Sequence, residues 1–193
     1  GWSAYQEMVR VQSGSSIEED VARYSVDLYR NVVYNMPEAW DRCDRLILPL
    51  IHNGRGTEMT PVDKLSWCLT DETGFGVLGS PGVVYHNLRR RDKGWLYTMG
   101  RKTDVTLWGG KMWENLCQHV ARQIVMWQTA RYAERYRVAL SAHDEIVSVV
   151  AVDEVDAASA YMTECLLTPP PWAAGQIPLG CEVGVGQSYG EAK

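Results

Sequence analysis

The chain has 193 residues, of which 46% are hydrophobic and 22% charged, and its formal net charge is −5. That length and composition suit a packed domain and exclude a disordered segment. The acidic balance argues against binding nucleic acid through bulk charge. Basic groups are nevertheless concentrated locally at Arg89, Arg90, Arg91 and Lys93, followed by Arg101 and Lys102. No apolar run approaches the roughly 18 to 20 residues of a membrane helix, and the first residues lack the basic-then-apolar layout of a secretory signal. Cys43, Cys68, Cys117, Cys165 and Cys181 are odd in number, with no Cys-x-x-Cys pair. They read as reduced, mostly buried thiols of a cytoplasmic protein, not as a zinc site or a disulfide framework.

Residues 1 to about 51 read as helical. Ser16 with Glu19 has capping-box spacing, and Val21, Tyr24, Ser25, Leu28 and Val32 trace one helical face behind it. Pro37 suits the first turn of the next helix, which runs through Trp40, Cys43, Leu46 and Ile47 until Pro49 bends or ends it. Tyr24, Tyr29, Tyr34 and Trp40 are expected at helix–helix contacts, with ligand contact as the alternative. From residue 52 to 100, clusters of Gly, Pro, Asp and Thr predict a connecting excursion ending in a hairpin, with short strands at 83–85 and 95–99. The Arg89, Arg90, Arg91 run fits a solvated turn or a contact with a phosphate backbone equally well.

Residues 109–136 carry the longest helical pattern. Trp113, Leu116, Cys117, Val120, Ile124 and Trp127 form its apolar stripe. Glu114, Gln118 and Arg122 follow one another at intervals of four on another face, with Asn115 beside them. Such a face ordinarily meets water, and pattern alone favours water here. Amide and guanidinium groups in a row also suit the acceptors of a nucleic-acid minor groove.

Period-two alternation then runs from Arg137 to Val152, interrupted by His143, Asp144 and Glu145. Two strands joined by a tight antiparallel turn would lift Asp144 to the tip of a rigid hairpin, where it can meet a divalent cation. An ordinary solvated turn is the alternative, since Asp favours turns. Asp153 is placed to cap a further helix, with Val155, Ala158, Met162 and Leu166 on its buried face, and Pro169, Pro170 and Pro171 stop it. Residues 177–185 alternate like a last strand. The predicted fold class is α+β, helices packed against a small antiparallel sheet.

Several strings in this order resemble the C-terminal third of family A DNA polymerases, in their phage form. Gly1-Trp2-Ser3-Ala4-Tyr5 resembles the residues that follow the conserved fingers tyrosine, and Tyr29, Arg30 and Trp40 lie in helices laid out like the family's next two. Gly109-Gly110-Lys111 with Glu114-Asn115 and Gln118 resembles the long palm helix, and His143-Asp144-Glu145 resembles motif C. Ile177-Pro178-Leu179, Glu182-Val183-Gly184 and the closing Tyr189 to Lys193 resemble the family's C-terminus.

The resemblance implies a helical fingers segment over residues 1–53, a connecting excursion and hairpin over 54–100, and a palm over 101–193. It implies template-directed nucleotidyl transfer to a primer 3′-hydroxyl by a two-metal mechanism. Asp144 and Glu145 would be the Mg²⁺ ligands, His143 would position the primer end, and Glu114, Asn115, Gln118 and Arg122 would line the primer–template minor groove. Its substrates would be primer–template DNA and deoxynucleoside triphosphates, in the host bacterial cytoplasm, with no membrane involved. The family's motif A aspartate and its fingers lysine and tyrosine are not in this sequence, and the chain begins inside a motif. A split enzyme or a fragment is therefore expected, its palm sheet incomplete and inactive until a partner chain brings those groups. The alternatives are a nonenzymatic palm module that binds nucleic acid or a polymerase, and a relative of single-subunit RNA polymerases, which resemble His-Asp-Ser at this turn; Glu145 favours DNA.

Overall fold

The computed structural model describes residues 1–53, 60–62, 65–70, 74–77, 82–92, 94–173 and 177–192. Four helices open the chain: α1 (Trp2–Ser13), α2 (Glu19–Val32), α3 (Asn35–Arg42) and α4 (Leu48–His52). α1 ends at Gly14, whose left-handed φ of 70° lets its N–H reach the Arg10 carbonyl. The expected capping box does not form. α2 begins behind Glu18 with no side-chain cap, and the negative charges of Glu19 and Asp20 in its first turn suit the helix dipole instead. Pro37 falls in the first turn of α3 as expected. Between α3 and α4 the backbone widens into a π turn, Cys43–Ile47. Pro49 follows directly in the first turn of α4. A proline ring crowds the carbonyl four residues back, and the widened turn makes room for it, so the helical path continues past Pro49.

Strands β1 (Thr60–Val62), β2 (Leu65–Thr70), β3 (Gly74–Val77) and β4 (Val83–Val84) form an antiparallel sheet in sequence order. A second antiparallel sheet contains β5 (His86–Arg91), β6 (Gly94–Met99) and β7 (Lys102–Leu107). The excursion is thus richer in strands than its irregular composition suggested, and the two strands expected at 83–85 and 95–99 are β4 and β6. Arg89, Arg90 and Arg91 lie on strand β5, opposite Leu96, Trp95 and Gly94, and not in a turn. Lys93 lies outside the described residues, as does much of 52–82. Pairing of β6 with β7 joins residues on the two sides of the expected boundary at 100/101.

The second half contains α5 (Gly109–Tyr132), β8 (Val138–Ala142), β9 (Glu145–Ser148) and α6 (Val155–Leu167). α5 has 24 residues, which at about 1.5 Å each makes it roughly 36 Å long. It runs through both cores of the molecule. Met112, Leu116, Val120 and Ile124 are buried against Cys43, Ile47, Leu48 and Ile51 of the helical segment and Tyr85, Trp95, Tyr97 and Leu107 of the sheet region. Cys117, expected in this stripe, is exposed, and Trp113 and Trp127 are half-buried. The last turn of α5 carries Tyr132 into the second core, with Ile146, Tyr161 and Cys165.

There the two helices satisfy each other's terminal carbonyls. Gln128, buried, donates to the Leu166 carbonyl at 2.5 Å, and Tyr161 Oη donates to the Arg131 carbonyl at 3.0 Å. α6 differs from expectation at its start and on its face. A 3₁₀ turn, Val152–Glu154, precedes it, Glu154 and not Asp153 occupies the cap position, and no side-chain cap bond forms. Ala158, Tyr161 and Cys165 are its buried residues, while Val155, Met162 and Leu166 are half-buried.

The architecture is α+β with small antiparallel sheets. Two expected strands are shorter or missing. β9 stops at Ser148, so Val149 and Val152 stay exposed. Residues 177–185 do not form a strand. Ile177, Leu179, Cys181 and Val183 are half-buried and the residues between them exposed. The period-two burial is real, but no partner strand completes it among the described residues.

Candidate functional site

The tip of the β8–β9 hairpin is set by its register. Leu140 lies opposite Val147, Ser141 opposite Ile146 and Ala142 opposite Glu145, which leaves His143 and Asp144 as a two-residue loop. Such loops need a positive φ to match the strand twist, and His143 supplies it at 52°. A left-handed conformation costs an L residue about 1–2 kcal/mol. The ladder on both sides and Ile146 buried in the second core hold it in place. His143, Asp144 and Glu145 are all exposed.

Glu145 accepts a short hydrogen bond from Tyr189 Oη, 44 residues further along. That bond is the main reason the Tyr189 phenol is raised above its ordinary pKa. A turn in which the Glu191 and Ala192 N–H groups both bond to the Ser188 carbonyl folds the C-terminal segment here. Tyr189 belongs to the site geometry, yet local sequence contains no signal for so distant a contact.

Among the described residues no three His, Cys, Asp or Glu side chains converge as a metal cluster. The tip offers two neighbouring carboxylates, and that of Asp144 makes no hydrogen bond or ion pair among the described residues. Mg²⁺ commonly takes one or two carboxylates and completes its shell with water and substrate phosphate. The donor set of the tip therefore fits part of a Mg²⁺ site.

The polar row expected on α5 is divided. Glu114 pairs with Lys111 at 2.9 Å. Gln118 and Arg122 are exposed and have no hydrogen-bond or ion-pair partner among the described residues. Asn115 turns inward instead, and its amide donates to Tyr85 Oη at 3.0 Å, tying the helix to the sheet region. Burial pushes the Tyr85 phenol well up. The reason is angular: one residue turns about 100° around a helix, so Asn115 and Glu114 cannot share a face. Arg122 lies ten residues before Tyr132, about 15 Å along the axis. The helix row and the hairpin tip are connected through α5 itself, with no hydrogen bond or ion pair between them among the described residues.

Two further sequence features have local structural reasons. A Cβ on Gly109 would fall 1.8 Å from the Trp40 carbonyl oxygen, so the close approach of α5 to α3 requires glycine. Of the arginine run, Arg89 is bonded to Asp104 and to the Thr103 carbonyl, Arg90 lies over the Trp95 ring at 5.7 Å, and Arg91 is exposed. No family model matches the chain, and no curated protein or solved structure matches it.

Proposed function

We propose that this chain is the motif C-bearing C-terminal part of a phage-type family A DNA polymerase, working with a partner chain. The observation that carries the reading is the two-residue hairpin loop. It lifts an unpartnered Asp144 into solvent, anchored below by Ile146 and braced on one side by Tyr189.

In this reading Asp144 is the principal Mg²⁺ ligand and Glu145, already accepting a hydrogen bond from Tyr189 Oη, a lesser one. Bound Mg²⁺ would activate the primer 3′-oxygen and neutralise charge on the triphosphate and departing pyrophosphate. The chain's own part is positional. His143, fixed by its backbone, stands beside the primer end, while Gln118 and Arg122 donate to minor-groove acceptors that nearly all base pairs share. Glu114 holds Lys111 on the same face, and Asn115 acts indirectly by fixing α5 through Tyr85. A two-metal reaction needs carboxylates from separate strands. In this reading the motif A aspartate and the fingers lysine that grips the nucleotide come from outside these 193 residues. The apolar face of α2, where Val21, Tyr24, Leu28 and Val32 are exposed, favours one alternative, a nonenzymatic module whose role is to bind a polymerase partner.

The test purifies this chain alone and together with a chain carrying motif A and the fingers helix, then measures Mg²⁺-dependent primer extension. Extension by the pair alone is expected, with a complex that survives gel filtration. Complex formation without extension would favour the binding module. Full extension by the lone chain, or failure of the two chains to associate, would overturn the proposal.

A further inference from the structure

We infer that the cleft between the α3–α4 turn and the β5–β7 sheet binds a nucleotide unit, a planar base joined to a phosphate. The cavity is about 380 Å³ and opens to solvent, with Asp44, Arg45, Arg90, Trp95, Thr106 and Trp108 in its lining. That volume suits a small planar ligand. None of these residues belongs to the hairpin tip or to the α5 row, so the inference does not rest on the polymerase reading.

Trp108 is the central feature. The residue is 49% exposed, although tryptophan is highly buried on average. It is also fixed. Trp40 meets it edge-on, with ring centroids 5.6 Å apart and planes at 80°. Gly110 leaves the space its ring occupies, since a Cβ there would lie 2.1 Å from Trp108 Cη2. A rigid, half-exposed indole stacks a base while losing little side-chain freedom.

The charges around it suit the rest of a nucleotide. Arg90 is exposed and steadied over the buried Trp95 ring. Arg45 pairs with Asp41 at 2.7 Å, but both side chains are more than half exposed. Exposed i,i+4 pairs of this kind are weak, so Arg45 exchanges readily onto a phosphate. Asp44 would repel a phosphate placed beside it and accepts a base amino group instead. The base is thereby directed to the Asp44 and Trp108 side and the phosphate to Arg90. A purely apolar ligand would leave the guanidinium groups unused, and a bare phosphate would make no use of the indole.

The test measures equilibrium binding and tryptophan fluorescence of the purified chain with four probes. These are adenosine monophosphate, a short mixed-sequence single-stranded DNA, an abasic strand of the same length, and inorganic phosphate. The base-containing probes should bind and quench fluorescence, with the abasic strand and phosphate at least about tenfold weaker. Trp108→Leu and Arg90→Ala should each weaken base-containing probes by about tenfold. Affinity rising with strand length would identify a nucleic-acid strand as the occupant. Equal affinity for the mononucleotide would identify a free nucleotide, and either sustains the inference. Circular dichroism checks that each variant folds; should Trp108→Leu fail, Arg90→Ala on the edge strand decides the matter. The inference is overturned if the folded wild type binds neither base-containing probe. It is equally overturned if the abasic strand binds as tightly as the intact one, or if the folded variants keep wild-type affinity.

Discussion

Helices α2 and α5 both carry an apolar stripe at helical spacing, yet the structure treats them in opposite ways. On α5, Met112, Leu116, Val120 and Ile124 are buried between the helical segment and the sheet. On α2, Tyr24 is 68% and Val32 70% exposed, Val21 and Leu28 are about half exposed, and Ala22 is the one buried residue. α1, its neighbour, buries no residue fully, although Arg23 lies over the Trp2 ring at 4.3 Å and Gln6 donates to the Ile17 carbonyl. Tyr29 and Tyr34, expected at helix–helix contacts, are exposed as well. Trp40 alone of the expected aromatics is packed, against Trp108. A stripe records what a helix can bury; whether it does so depends on what lies opposite.

The largest effect separates the two helices directly. Leu116→Ala should destabilise the chain by about 2–5 kcal/mol, as a cavity in a packed core does, whereas Leu28→Ala should cost less than about 0.5 kcal/mol. Denaturant unfolding of both variants measures the difference, and equal losses would mean that α2 is covered in solution.

Next is Asp144→Ala, which tests an exposed residue against a buried one. In the proposed polymerase assembly, primer extension should fall more than about a hundredfold, a loss typical of removing a group that stabilises transition-state charge. The unfolding midpoint should stay as in wild type, because Asp144 is exposed and makes no hydrogen bond or ion pair among the described residues. Activity within a few-fold of wild type would remove Asp144 from the set of metal ligands.

Gln118→Ala sharpens the contrast within α5. Extension or primer–template affinity should drop by up to about tenfold, equally for different template sequences, since the acceptors it would meet are shared among base pairs. Normal binding and extension would leave that face of α5 merely solvated.

A smaller effect comes from Tyr132, whose buried hydroxyl makes no full hydrogen bond among the described residues; the Ser148 hydroxyl is a polar neighbour, but it donates to the Arg137 carbonyl. Tyr132→Phe should keep or raise stability, by up to about 1 kcal/mol, because an unpaired buried polar group is lost. A clear loss of stability would reveal a partner for that hydroxyl.

Smallest is the pH response of His119. Burial lowers its imidazole pKa in the folded chain, so the unfolded chain binds the proton more readily. Stability is fully present above the unfolded value of about 6.5 and declines as pH falls through it toward the folded pKa. Thermal unfolding from pH 7.5 to 5.5 should show this decline, and His119→Gln should flatten it.

Much of the architecture could be read directly from local pattern. Spacing near 3.6 located α5 and α6, and alternation around His143 and Asp144 located the hairpin and the exposed carboxylates at its tip. Local pattern also carried the period-two burial of Ile177, Leu179, Cys181 and Val183. Such features depend on residues a few positions apart, whose geometry is set by the backbone repeat.

Only the tertiary structure decided the rest. It turned Asn115 inward to Tyr85, joined Tyr189 to Glu145, fixed Trp108 between Trp40 and Gly110, and left the α2 stripe open. It also gave β1 to β7 their ladders and left 177–185 without a ladder partner among the described residues. Each of these outcomes depends on which distant surface lies opposite a residue, and periodicity records a side chain's direction but not the neighbour it meets there.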